Sequence, residues 1–401
     1  MNRTHGSHPC NRGLIPLRAK NIFMKKFYLF QAIAVLIGTI IGAGILGVPY
    51  VFQKAGFLTA VVMLVIITFA MVAISLMFGE IILRTFGRHQ ISGYVEKYLG
   101  KFWKRFVSIF LIISITGALL AYFIGLGDVV AAIFGGQPLI WVILFYLIGA
   151  FFLYFGIRLI KNLEFIMILG IVAVVFVILL MTVNRLNFSG LTDFNLAKIF
   201  LPYGVVLFAC ADWVAIPEAR EILIGREKLL KKALFFGSLI PAIIYLIFAW
   251  LTVSVTGSIT TPIATVGLGQ AMGQSIIIII NIFAFFTIFT SLLTLGLALK
   301  EMYDYDFKFK HHFAWFLTVA APLVFYFLGL RNFIEILSLV GALGLGLEGL
   351  VYVVAYWQAR KFGERQPEYI LSKPFAVFAS IFLPIIFLGG LIYTLLDIFL
   401  K

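Results

Sequence analysis

GTIIGAGILGVPY, residues 38–50, places Gly38, Gly42, Gly44, Gly47 and Pro49 inside an apolar run that is otherwise long enough to cross a membrane. In hydrocarbon every backbone polar group must be satisfied internally, so this composition is tolerated where a spanning helix breaks and faces a cavity. The chain is expected to leave helix near residues 39–41 and to re-enter it near residues 44–45. That would aim the N–H groups of Gly42, Ala43 and Gly44, with the positive end of a half-helix, at one point suited to a carboxylate. The unwound carbonyls of residues 38–41 would meet the opposite need, an ammonium group or a small cation. Close packing of another helix on Gly38, Gly42 and Ala43 is the competing explanation. It leaves Gly44, Gly47 and Pro49 without a purpose.

The rest of the chain is equally apolar. Hydrophobic residues make up 63% and charged residues 12%, and the mean hydropathy is +1.10. Soluble domains are about half apolar and about a quarter charged, so this is an all-α polytopic membrane protein. Apolar windows long enough to span about 30 Å of hydrocarbon recur along the chain. Eleven are expected, at 28–53, 57–83, 106–134, 138–157, 163–183, 200–219, 233–256, 276–300, 313–330, 333–357 and 375–399.

Of the 31 Lys and Arg residues, 26 fall on alternate loops and five (Lys54, Arg185, Lys198, Arg331, Lys401) on the others. The positive-inside rule then puts the N-terminus in the cytoplasm and, with an odd count, the C-terminus outside. The net charge of +14 reports this topology. No basic patch interleaved with aromatics asks for nucleic acid, and nothing implies an obligate protein partner. The two cysteines, Cys10 and Cys210, are too far apart in this topology to pair.

A second interrupted span, LPYGVVLFACADWVAIPEAREIL at 201–223, carries small residues, one acid and Pro217 near its middle. It is the sixth span. Breaks in spans one and six, each followed by four uninterrupted spans, are what two five-helix repeats in inverted orientation produce. The expected division is a basic cytoplasmic tail at 1–27, repeats at 28–183 and 184–357, and a loop with the eleventh helix at 358–401. GRHQISGYVEKYLG, 87–100, should lie along the cytoplasmic surface as an amphipathic helix, and 261–274 reads as an outer lid loop.

Asp212 in the second break costs about 3 kcal/mol on insertion scales unless it meets water or a partner. It could accept a substrate ammonium, carry a proton or pair with a base. Phe208 and Trp213 could wall a pocket. In span eight, Thr287, Thr290 and Ser291 share one helical face, which suits a sodium ion or a proton-linked network. Back-bonding to their own helix is the plainer explanation. Among the other carboxylates, Glu80 and Glu218 sit near Arg84 and Arg220 and suit ion pairs, while Asp128 and Glu348 lie deeper in their spans.

Four segments carry a family resemblance: GTIIGAGILGVPYVFQKAG at 38–56, GEIILRT at 79–85, AIPE at 215–218 and FTSLLTLGLALKEMYDYD at 289–306. They resemble the hydroxy and aromatic amino acid permeases of the amino acid/polyamine/organocation superfamily. The resemblance implies a five-plus-five inverted-repeat transporter of the plasma (inner) membrane, with a midplane amino acid site and alternating access. It implies no enzyme activity and no cofactor, only H+ or Na+ as coupling ion. Position by position, it assigns Gly42, Ala43 and Gly44 to the substrate carboxylate, and the carbonyls of Ile40, Phe208 and Ala209 to its amino group. It assigns the carbonyls of Gly38 and Ile41, with Thr287, Thr290 and Ser291, to the place where sodium-coupled relatives hold an ion. Asp212 departs from the neutral residue expected there, and Lys161 lies at the edge of span five rather than in its middle.

The expected function is cation-coupled import of an amino acid, with a neutral, large apolar or aromatic one leading. An amino acid exchanger and a cationic amino acid transporter are the alternatives. An intramembrane aspartyl protease is the remote one: GLGD at 125–128 matches a short signature, with Tyr303-Asp304 as partner, but the order of the two is reversed. A passive channel would need a recurring ring of charges or carbonyls, which the chain lacks.

Overall fold

The computed structural model describes residues 17–87, 89–155, 170, 173–182, 187, 191–305 and 307–399. Helices dominate, and no strand occurs among the described residues. Helices α1 (Leu17–Ile40) and α2 (Gly44–Ala55) form one span bent by 60° at the break. Gly56, at φ 94°, turns the corner into α3 (Phe57–Leu83). That conformation favours glycine, and a Cβ there would lie 2.8 Å from the Asp193 carbonyl oxygen.

The short helix α4 (Ile91–Leu99) buries Ile91, Ser92, Tyr94 and Val95 and packs on α5 (Lys101–Phe134). An amphipathic helix is expected within 87–100, and α4 is a helix with one buried face. Gly100, at φ 88°, separates the two helices. Next come α6 (Pro138–Phe155) and α7 (Ala173–Thr182). The fifth expected span is described only over α7; Lys161, Glu164 and the basic loop with Arg158 lie outside the described residues, as does most of the N-terminal tail.

The second broken span consists of α8 (Tyr203–Ala209) and α9 (Ile216–Ile222), with residues 210–215 between them. Helix α10 (Leu230–Thr256) runs beside both breaks, packing on α1, α2 and α3. Residues 261–274, expected as a lid loop, instead contain α11 (Ala264–Met272), which packs on α12 (Gln274–Tyr305), α10 and α2. Its apolar and small residues, Ala264, Gly267, Leu268 and Met272, are buried, and this face is what holds the segment in helix.

Helix α13 (His311–Phe327) leads to the tenth span, which is not uninterrupted as expected. There α14 (Phe333–Leu339) passes through a π-helical segment (Val340–Leu345) into α15 (Gly346–Phe362). The glycines of this segment allow close approach: a Cβ on Gly341 would collide with the Gly204 carbonyl oxygen, and one on Gly344 with Ser114 Oγ. Helix α16 (Lys373–Phe399) packs on α3, α8 and α15.

Among the described residues, seven helices are long and apolar enough to cross a membrane, eight counting the bent pair as one span, and α7 and α13 are shorter apolar helices. Their outer faces are apolar and open, with Val65 62%, Leu147 59% and Ile385 63% exposed. Those are surfaces for lipid, and the protein is an integral membrane protein. At the C-terminal end of α3, the fully buried Glu80 accepts from Arg84 at 2.8 Å, Tyr356 at 3.2 Å and the Leu371 amide at 2.9 Å, and pairs with Arg360 at 3.3 Å. The structural ion pair expected for Glu80 is therefore one part of a wider knot.

Candidate functional site

The two breaks meet. Gly44, the first residue of α2, packs so closely on the second break that a Cβ there would lie 2.7 Å from Ala209 Cα. Between them lies a cavity of about 60 Å3, enough for a few water molecules or a small polar group. Its walls are Thr39, Ile40, Gly42 and Gly44 from the first break and Phe208, Ala211, Trp213 and Val214 from the second. The remaining wall comes from Ser114, Ala118 and Tyr122 of α5, Leu295 of α12, and Val340 and Leu345 of the π segment. Spans one, three, six, eight and ten thus contribute.

The backbone at the first break follows the expected course, with one correction. The Gly42 N–H donates to Ile40 O at 2.9 Å, so it is not free. The N–H groups of Ala43 and Gly44 have no acceptor among the described residues. Two donors therefore remain where three were expected, at the N-terminus of the 12-residue α2. Tyr122 adds a third donor: its hydroxyl lies 3.6 Å from the position of a Cβ on Gly42, and its ring meets Phe208 edge-on.

The carbonyls are also arranged differently from expectation. Tyr245 of α10, fully buried, places its hydroxyl 2.8 Å from Ile40 O and 2.8 Å from Ala209 O. A phenol carries one hydrogen, so at any moment it serves one of these two carbonyls. The hydroxyl ties the two unwound segments together, and Ile40 O and Ala209 O are not both open acceptors. Phe208 O accepts from the Cys210 amide and, at 3.4 Å, from the Ala211 amide.

Asp212 does not line the cavity. Its carboxylate is fully buried and receives Ser75 of α3 at 2.5 Å and Ser238 of α10 at 2.7 Å. Its neighbour Trp213 does line the cavity, and the Trp213 indole donates to Glu348 at 3.1 Å.

Thr287, Thr290 and Ser291 each donate to their own helix, to Phe283 O, Phe286 O and Thr287 O. The plainer explanation thus accounts for their hydrogens. Of the three, Ser291 stands against the break, its Oγ 2.6 Å from where a Cβ on Gly42 would be. Ile41 is buried and donates to Ile37 O, and Gly38 lies in the last turn of α1.

Sequence reasoning missed Tyr245, Tyr122, Ser75, Ser238 and the π segment. Only the last left a signal, the glycine spacing of VGALGLG at 340–346. The geometry disposes of a carboxylate dyad between Asp128 and Asp304. Ile288 of α12 touches α5 at Gly125, and Asp304 lies about 24 Å farther along α12. There it approaches His311 at 3.6 Å.

Two unpaired amides at a helix N-terminus, opposite unwound carbonyls and beside aromatic walls, can hold a small zwitterion with an apolar side chain. The chain is 26% identical to the tyrosine-specific transport system 1 of Haemophilus influenzae over 347 residues, 81% of this chain and 86% of that protein. It is 23% identical to glutamine transporter 2 of Aliivibrio fischeri over 336 residues, 79% of this chain and 85% of that one. Its fold is similar to the crystal structure of MhsT in complex with L-phenylalanine, with a TM-score of 0.62 at 16% identity, covering 91% of this chain and 98% of that one. The sequence pattern of the tryptophan/tyrosine permease family matches residues 25–392, so the chain belongs to that family of amino acid transporters, and the resemblance read from its sequence holds.

Proposed function

We propose that this protein is a secondary active transporter that imports a neutral, large apolar or aromatic amino acid by cation-coupled symport with alternating access. The observation that carries the reading is the cavity between the two breaks, lined by Gly42 and Gly44 together with Phe208, Trp213 and Tyr122, at the point where the Ala43 and Gly44 amides are left without an acceptor. The amides and the Tyr122 hydroxyl take the substrate carboxylate, Phe208 O and the carbonyls shared by Tyr245 take its ammonium group, and the aromatic rings take the side chain. A neutral substrate is favoured over a cationic one because Asp212 is bonded to two serines and turned away from the cavity.

The reading includes eleven spans, repeats at 28–183 and 184–357, a cytoplasmic N-terminus and an outer C-terminus in the plasma (inner) membrane. Its support is the charge asymmetry of the loops and the two breaks at corresponding positions. Ile41, Gly38 and the α12 hydroxyls retain oxygen lone pairs for a coupling cation.

The test is uptake of labelled tryptophan, leucine, alanine and lysine into proteoliposomes under a proton gradient, a sodium gradient or neither. Accumulation of tryptophan or leucine under one gradient supports symport. Equilibration only against preloaded amino acid would replace symport with exchange, and preference for lysine would overturn the neutral substrate.

A further inference from the structure

Two carboxylates lie at full burial on either side of the second break, and no cationic group reaches either one among the described residues. Burying an unpaired ionised carboxylate is among the costliest arrangements in a protein. Glu348, on α15 just after the π segment, is touched only by neutral donors: Ser114 of α5 at 3.1 Å, Trp213 at 3.1 Å and Tyr352 at 3.4 Å.

A proton count identifies the state this arrangement fits. Ser114 Oγ has one hydrogen yet lies 2.8 Å from Phe110 O and 3.1 Å from Glu348 Oε1. With the hydrogen in the shorter contact, the longer one needs a proton on Glu348, donated to Ser114. The indole N–H can only donate, so it fixes Oε2 as the acceptor and leaves Oε1 to carry that proton. Asp212 differs: Ser238 Oγ lies 2.7 Å from Asp212 Oδ2 and 2.9 Å from Leu234 O, so its one hydrogen falls in the contact to the carboxylate and none is required on Asp212. Of the two acids, Glu348 is the one joined to the cavity, because Ser114 and Trp213 both line it.

We propose that Glu348 is the group that binds and releases the coupling proton, with Trp213 transmitting its state to the substrate cavity. This rests on the symport reading above. In the occluded state Glu348 is neutral. When the cytoplasmic side opens, its proton passes to water, and the carboxylate, unable to donate to Ser114, pulls harder on the indole N–H. Trp213 sits in residues 210–215, the unwound stretch of the second break, so that pull acts on the wall of the site.

The groups facing Glu348 leave it without a compensating charge. Its own helix offers Tyr352. The break offers Asp212, held by Ser75 and Ser238. Helix α4 offers Tyr94, separated from Tyr352 by the ring of Phe78. Helix α3 offers Glu80 and Arg84, which with Arg360 and Tyr356 close the knot at its C-terminal end. The contacts from α5 and the π segment bring no ionisable side chain. Arg360 is about 18 Å along α15 from Glu348.

The experiment compares the wild type with Glu348→Gln in proteoliposomes. It uses whichever of labelled tryptophan, leucine, alanine or lysine the wild type takes up, with a pH dye inside the vesicles. With one proton per substrate, a gradient of one pH unit should concentrate substrate about tenfold in the wild type. The Gln variant should keep counterflow against preloaded amino acid but neither accumulate it nor acidify the lumen. Accumulation by the variant equal to that of the wild type would overturn the proposal. So would wild-type accumulation driven by sodium alone, which leaves amino acid transport standing. Absence of uptake of all four by folded wild type would instead remove the transport reading itself. If Glu348→Gln does not fold, Trp213→Phe, which deletes only the indole donor and part of the ring, should move the midpoint of the pH profile of uptake. An unmoved midpoint would overturn the proposal.

Discussion

Replacing Gly44 with alanine tests whether the two breaks must touch for the protein to work. The new Cβ would lie 2.7 Å from Ala209 Cα and 2.8 Å from Ala209 Cβ. Carbon atoms rest about 3.5–4.0 Å apart, so the breaks would have to separate by close to 1 Å. Backbone cannot rotate out of the way as a side chain can. Overpacking of this kind costs about 1–3 kcal/mol, and at 1.4 kcal/mol per decade it disfavours any state with the breaks in contact by about 5- to 140-fold. Gly42→Ala is the matched control, since its obstacle is Ser291 Oγ at 2.6 Å, which can turn about χ1. Initial uptake rates in proteoliposomes, with thermal unfolding followed by fluorescence, should show a severe defect for Gly44→Ala and a mild one for Gly42→Ala. Ser291→Ala should relieve the latter. Uptake and unfolding of Gly44→Ala indistinguishable from wild type would refute the close contact.

Tyr245→Phe removes the hydroxyl shared by Ile40 O and Ala209 O and leaves one buried carbonyl short of a donor, a loss of about 1–3 kcal/mol. Because that bond spans the two breaks, substrate affinity should fall by about tenfold, as read by equilibrium binding; unchanged affinity would show that the stitch is idle. Glu80→Gln strands Arg84 and Arg360 beside a neutral amide, and breaking such a buried pair costs about 3–5 kcal/mol. A lower unfolding temperature in detergent is the expected readout, and an unchanged one would count against the knot. In the loop after α15, Glu364 is held below the ordinary glutamate range, first by its hydrogen bond to Lys97 and then by the Phe86 amide. A depressed carboxylate stabilises above its unfolded pKa and loses that contribution as pH falls through the lowered folded value. The tether should therefore persist at neutral and mildly acidic pH, and exchange of the Phe86 amide accelerating already near neutrality would contradict it.

The sequence by itself determined the two breaks and the helical membrane architecture. Each break lies within a few residues of glycine and proline, and in a lipid solvent every unsatisfied amide must be accounted for locally, so short-range composition is decisive. Ile40 ends α1 and Gly44 begins α2 at the positions the residues indicate. The helix α11 within 261–274 and the π turn at 340–345 were not legible in that way, because each is shaped by the helices packed against it. The tertiary structure alone decided which polar groups at the breaks stay free. Tyr245 is 205 residues from the Ile40 carbonyl it satisfies, Ser75 is 137 residues from Asp212, and Trp213 is 135 residues from Glu348. No local pattern encodes such partners: a buried hydroxyl or carboxylate is satisfied by whatever the packing brings within about 3 Å, and that is set by the contact of whole helices.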